Sequence, residues 1–139
     1  MGLTYAEIAL INTVDWVLAE RKQIPESEVK QMTVNALVDS GAFMLTISDT
    51  IKRQLDLKVI ETLEVELADG SYAECEIVGP IDIRFKTRST TCRAVVLPGA
   101  PEVLLGALPL EGMDVIIDLK NQELTLPPDR PYMARIKIK

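Results

Sequence analysis

The chain has 139 residues, 47% hydrophobic and 26% charged, with a net charge of −6 and no histidine. That length suits one domain, expected over 1–139 and able to bury one core, and no apolar run approaches the roughly 18 residues of a membrane helix. The missing imidazole excludes Ser-His-Asp and Cys-His catalysis and His-ligated zinc, while the acidic balance disfavours phosphate backbones, so neither a nucleic acid nor a membrane is an expected partner.

The opening "MGLTYAEIALINTVDW" has no basic leader and no small-residue cleavage site, which makes the cytoplasm the expected location. Residues 3–11, with Thr, Tyr and Ile among apolar neighbours, suit a strand, with helix left open. Val14, Val17, Leu18 and Arg21 fall at helical spacings before Pro25, so a short helix or helical loop is expected there. Met32, Val34, Ala36 and Val38 then alternate along a strand that ends on Asp39, followed by Ser40 and Gly41. Ser48 can cap a short helix through "DTIKRQLDL", where Ile51 and Leu55 share a face.

Two hairpins follow. Leu63, Val65 and Leu67 alternate with glutamates, "ADGS" turns the chain, and Ala73, Cys75 and Ile77 alternate again. Matching the apolar faces pairs Leu67 with Ala73, Val65 with Cys75 and Leu63 with Ile77, around an Asp69-Gly70-Ser71 loop. That register sets Glu66 opposite Glu74 and Glu64 opposite Glu76, so the face should be solvated or meet a basic partner. In the second hairpin, Ile83 is expected to pair with Cys92 and Ile81 with Ala94. Cys75 and Cys92 then lie on different hairpins, lack CxxC spacing and read as reduced thiols.

Val103, Leu104 and Leu105 form an apolar run stopped by Gly106, as expected of a buried strand that another backbone passes closely. A helical turn at 107–112, strands at "DVIID" and "ELTL" around "LKNQ", and a C-terminal strand within "YMARIKIK" complete the reading. Asp114 and Asp118 read as residues that end a strand and begin a turn, and Trp16 and Tyr132 as packing residues. The chain is mostly β, with one or two short helices.

With histidine absent, carboxylate chemistry is what remains, and no metal or cofactor is expected. "ALVDSGAFMLTIS" followed by "VLLGALPLEGMDVIID" resembles the single-domain, retropepsin-like aspartic proteases of the bacterial stand-alone type. In that family apolar-apolar-Asp-Thr/Ser-Gly-Ala precedes an apolar-apolar-Gly motif and a short helix. The resemblance covers roughly residues 30–127 and implies an all-β, closed barrel with a flap hairpin. It implies Asp39, Ser40 and Gly41 as the catalytic motif, with Ala42, Asp69, Gly70 and Ser71 as substrate-binding residues. Asp69, Gly70 and Ser71 would form the flap tip over substrate. Ser40 would support the opposing subunit's loop, and Gly41 would offer its N–H near the carboxylate.

The chemistry needs two carboxylates. An ionised one activates water while a protonated one polarises the peptide carbonyl, and at short range the two titrate as a unit. One chain holds a single Asp-Ser-Gly, so the resemblance implies a C2 homodimer in which Asp39 meets its symmetry mate. Terminal strands at 3–11 and 132–139 would pair across that dimer. The expected function is an aspartic endopeptidase acting on a peptide or protein substrate. The alternative is a non-catalytic retropepsin-fold module for peptide binding or dimerisation, in which Asp39 is only a buried polar knot. A β-rich adaptor that uses its edge strands leaves the joint occurrence of the two motifs unexplained.

Overall fold

The computed structural model describes residues 2–138. Strand β1 (Tyr5–Asn12) runs antiparallel to β2 (Gln31–Val38), from Tyr5 opposite Leu37 to Ile11 opposite Gln31. Between them lie α1 (Thr13–Glu20), which Asn12 caps by accepting from the Asp15 N–H, and a 3-10 turn at Glu26–Glu28. After β2 come β3 (Leu45–Ile47) and α2 (Asp49–Gln54). The Ser48 hydroxyl caps α2 by accepting from the Ile51 N–H at 3.3 Å, as the sequence indicates.

Next come β4 (Lys58–Glu66), the long β5 (Tyr72–Phe85), β6 (Arg88–Val96), β7 (Leu104–Leu105) and α3 (Ala107–Met113). A separate small pair, β8 (Ile116–Asp118) and β9 (Glu123–Thr125), follows. The main sheet has the order β1-β2-β7-β3-β6-β5-β4, and an added β1–β5 pairing closes it into a ring. β5 serves several neighbours because its register shifts between Val78 and Ile81. Its first half pairs with β4, while Ile81–Arg84 pair with Asn12–Ala9 of β1. The two hairpins of the sequence reading therefore share one continuous strand.

The ring closes on one core. Ile8, Leu10, Ala36, Leu45, Ile47, Val78, Ile81, Ile83, Ala94 and Leu105 are essentially inaccessible. Each fully buried Leu or Ile stabilises the fold by about 2 kcal/mol. A smaller cluster of Cys75, Ile77 and Val95 packs with Met44, Val65, Ala73 and Leu97.

Both hairpin registers differ from expectation by two residues, which leaves every side chain on its expected face. Leu63 pairs with Cys75 and Val65 with Ala73, so Glu64 faces Glu74 and Thr62 faces Glu76. The loop is Ala68-Asp69-Gly70, closed by Leu67 and Ser71, because a three-residue hairpin needs the left-handed residue last and Gly70 supplies it at φ 85°. In the second hairpin Ile81 pairs with Cys92 and Ile83 with Thr90. A tight Lys86-Thr87 turn, with Lys86 at φ 51°, extends the ladder to Phe85 and Arg88. Both cysteines are free.

Three further expectations are corrected. No strand forms over residues 132–138, where the chain offers no neighbouring strand and the Arg135 N–H is taken by Asp114 Oδ2; residue 139, the end of that expected strand, lies outside the described residues. Ala9–Asn12 of β1 have both edges paired within the chain, so that stretch is not free to pair across a dimer. Tyr132 is 84% exposed and packs little, whereas Trp16 receives the Arg84 guanidinium 5.6 Å from its ring centre. Among the described residues no helix is long and apolar enough to cross a membrane.

Candidate active site

Asp39 stands where three segments meet. β2 runs parallel to β7, with Leu37 beside Leu104 and Val38 beside Leu105. The ladder continues one residue past the strand: the Asp39 N–H donates to the Leu105 carbonyl at 3.0 Å, and the Leu37 N–H to Val103 at 2.8 Å. A loop then turns sharply, with the Ala42 N–H donating to the Asp39 carbonyl at 3.1 Å. The Gly41 N–H donates to Asp39 Oδ1 at 3.0 Å, and a Cβ on Gly41 would lie 3.2 Å from that oxygen. The absence of a side chain is what lets the amide approach.

The loop is stapled from its far side. The Ala107 N–H donates to the Ala42 carbonyl at 2.8 Å, and the Leu108 N–H to Phe43 at 2.9 Å. These amides open α3, so the helix start satisfies loop carbonyls instead of a side-chain cap. Gly106 makes the junction possible, since a Cβ there would sit 2.4 Å from the Met44 carbonyl oxygen and 2.8 Å from that of Ala42. The sequence reading of a backbone passing closely at Gly106 holds.

The result is a half-buried Asp39 whose backbone is fixed on both sides, followed by exposed Ser40 and Gly41 and half-buried Ala42. Ser40 borders a shallow depression with Ala107, Leu110, Glu111 and Val115. Phe43, 68% exposed, and Leu108, 45% exposed, put apolar surface beside the loop. The Asp39 geometry leaves its second carboxylate oxygen available to another group, which is what acid–base work on a bound water requires.

Asp69, Gly70 and Ser71 lie at the β4–β5 turn. The Ser71 N–H and hydroxyl both donate to Asp69 Oδ1, at 2.9 and 2.5 Å, and these bonds hold the Asp69 carboxyl below its ordinary range. Among the described residues no hydrogen bond joins this turn to the Asp39 loop. The structure thus gathers Asp39 to Ala42 in one loop and sets 69–71 apart at a hairpin end. No group of three or more acidic or thiol side chains suited to a metal occurs among the described residues.

The chain matches the model of an aspartyl protease family over residues 26–108, a stretch that contains Asp39 and Gly106. It belongs to that aspartyl protease family. The fold is similar to the crystal structure of the retroviral protease-like domain of Ddi1 from Leishmania major, with a TM-score of 0.54, 18% identity and 91% of each chain covered. At that identity the likeness speaks for the fold, a retropepsin-like single-domain barrel. A comparison with curated proteins gave no match. The family is one of peptidases, and the Asp39 loop lies inside the matched region.

Sequence reasoning missed an ion-pair cluster behind α3. Asp114 ends the helix at φ 54° and accepts from Arg130 Nε at 2.6 Å, Arg130 Nη2 at 3.0 Å and the Arg135 N–H at 2.8 Å. Arg88, 2% exposed, donates to the Arg130 carbonyl at 2.6 Å and lies 3.8 Å from the Asp114 carboxylate. Asp114 is therefore the anchor of the C-terminal segment and not simply a turn residue. Asp118 does end β8 and begin a turn, accepting from Asn121. Nothing in the spacing of 88, 114 and 130 advertises their meeting.

Proposed function

We propose that the chain is an aspartic endopeptidase that works as a homodimer, with Asp39 and the Asp39 of a second copy forming a dyad that activates water. The observation that supports this most is the pinned, half-open Asp39 loop: its backbone is bonded to Leu105, its Oδ1 to the Gly41 amide, and its other oxygen has no hydrogen bond among the described residues. A single chain supplies one such carboxylate, and C2 symmetry supplies a second at the axis. Exposed Phe43 and Leu108 beside the loop offer apolar surface for that contact.

In this reading one carboxylate removes a proton from water as oxygen attacks the peptide carbonyl carbon, while the other donates its proton to the carbonyl oxygen. Collapse of the tetrahedral intermediate breaks the C–N bond and returns a proton to the leaving nitrogen. Ser40 supports the opposing loop, and Gly41 and Ala42 line the floor. The β4–β5 hairpin acts as a flap, with Asp69, Gly70 and Ser71 at its tip, and covers an extended peptide held by backbone hydrogen bonds.

The test is cleavage of a diverse unstructured peptide pool from about pH 4 to 7, scanned because a shared-proton dyad works only when half ionised. Wild type and Asp39→Asn are compared at concentrations where sedimentation confirms a dimer. Cleavage by wild type alone supports the reading. A confirmed dimer that cleaves nothing points to the non-catalytic peptide-binding module instead.

A further inference from the structure

Among the described residues strand β4 is an edge of the main sheet, for it pairs with β5 on one side and with no strand on the other. Eight of its nine residues, Lys58–Glu64 and Glu66, are exposed, among them Val59, Ile60 and Leu63 at 45%, 41% and 43%. Such an edge, long and partly apolar, is a template for another strand unless something covers it. The Leu67 N–H donates to the Ser71 carbonyl, which fixes the alternation of the ladder. Odd-numbered Leu63 and Val65 then point their backbone groups toward β5, while Thr62, Glu64 and Glu66 point theirs outward.

The two faces of this edge differ in chemistry. On one, Glu64 lies directly opposite Glu74, a like-charge pair that costs stability, with Glu66 next along the strand. Neighbouring acids have cations, Glu76 from Lys52 and Glu61 from Arg93. Among the described residues Glu64, Glu66 and Glu74 have no ion-pair partner. The other face carries Leu63, and Val65 continues it into the Cys75, Ile77 and Val95 cluster.

The C-terminal segment has the complementary pattern. Ala134, Ile136 and Ile138 alternate with basic Arg135 and Lys137, as in a strand, yet no strand forms there. Ile138 is 94% exposed and Met133 78%. Upstream, Arg130 is held by both oxygens of Asp114, so the root of the segment stays fixed, and departure of the residues after it requires release of the 2.8 Å bond from the Arg135 N–H to Asp114 Oδ2.

We propose that the β4 edge takes residues 132–138 of a second copy of the chain as an added strand. Arg135 and Lys137 then lie beside Glu64 and Glu66, and Ile136 and Ile138 extend the Leu63–Val65 face. The outward backbone groups of Thr62, Glu64 and Glu66 complete the ladder. This contact does not use Asp39 and does not depend on catalysis.

The test is fluorescence anisotropy of a labelled peptide with the sequence of residues 131–139, titrated with the full chain. Saturable binding is expected, weakened at least tenfold by N-methylation of alternate peptide amides and by Glu64→Pro, which removes an outward N–H together with one of the facing carboxylates. The pair Glu64→Lys with Glu66→Lys should weaken binding similarly, and a peptide carrying Arg135→Glu and Lys137→Glu should restore it to that variant. Sedimentation of the full chain should show self-association reduced by the same protein variants. Absent binding, or binding indifferent to N-methylation and charge reversal, overturns the proposal. The peptide-binding readouts need neither cleavage nor the Asp39 contact, so they stand or fall apart from the proposed dyad.

Discussion

Asp39 and Leu105, remote in sequence, are joined by a 3.0 Å hydrogen bond from the amide of one to the carbonyl of the other. The carboxylate is thereby carried on a ladder between two parallel strands and not on a free loop, which fixes its origin within the chain.

Asp39→Asn should separate chemistry from architecture. The substituted amide keeps an oxygen for the Gly41 N–H and leaves the Asp39–Leu105 backbone bond intact. Peptide cleavage should fall by at least about a thousandfold, the scale of lost acid–base catalysis. The thermal midpoint should move by only a few degrees. Single-turnover assays beside thermal melts check both.

Gly106→Ala should damage fold and site together. The added methyl would meet backbone oxygens of Met44 and Ala42, atoms that cannot rotate away. A loss of about 3 kcal/mol is expected, at the upper end for overpacking. Urea titration measures it, and activity at low denaturant should fall as well, because the Ala107 amide would release the Ala42 carbonyl.

Asp114→Asn should change how stability responds to acid. Hydrogen bonds from Arg130, followed by the Arg135 amide, hold the Asp114 carboxyl well below the usual range. A folded-state pKa lowered in this way gives stability that is present above the unfolded value, near 3.9, and is lost as pH falls toward the folded one. Wild type should therefore lose this contribution below about pH 4, whereas Asp114→Asn should lack it at neutral pH and show a flatter acid limb. Thermal midpoints from pH 2 to 7 decide the matter.

The two thiols should be silent in the native state. Burial, with the nearby Asp82 charge, pushes the Cys92 thiol up to about 12, and Cys75 is buried. At pH 8 neither should react with a thiol reagent within minutes, while both should react at once in denaturant. Rapid native labelling would contradict this burial.

The sequence made strand faces legible and strand registers illegible, for one physical reason. Side chains alternate with a period of two, so the Leu63–Cys75 register and the expected Leu63–Ile77 register bury the same face. The turn decides between them, and the left-handed demand on Gly70 sets it. Asp39 and Gly106 were readable because each stands where an apolar run stops abruptly. Asp114 was not, since its partners Arg88 and Arg130 come from separate segments brought together only by packing. The C-terminal alternation promised a strand, but a strand needs a neighbour, which one chain does not provide there.

The ring closure has a consequence for the newborn chain. β1 and β2 leave the ribosome before β5 and β7, so β1 waits for Ile81–Arg84 and β2 for Leu104–Leu105. Such long-range pairing is slow to form. Until β7 and the amides of Ala107 and Leu108 have emerged, the Asp39 loop has its own internal hydrogen bonds but none of those that pin it to Leu105 and to the start of α3. Synthesis itself therefore acts as a timer, and the loop is pinned only once β7 and the start of α3 have been translated.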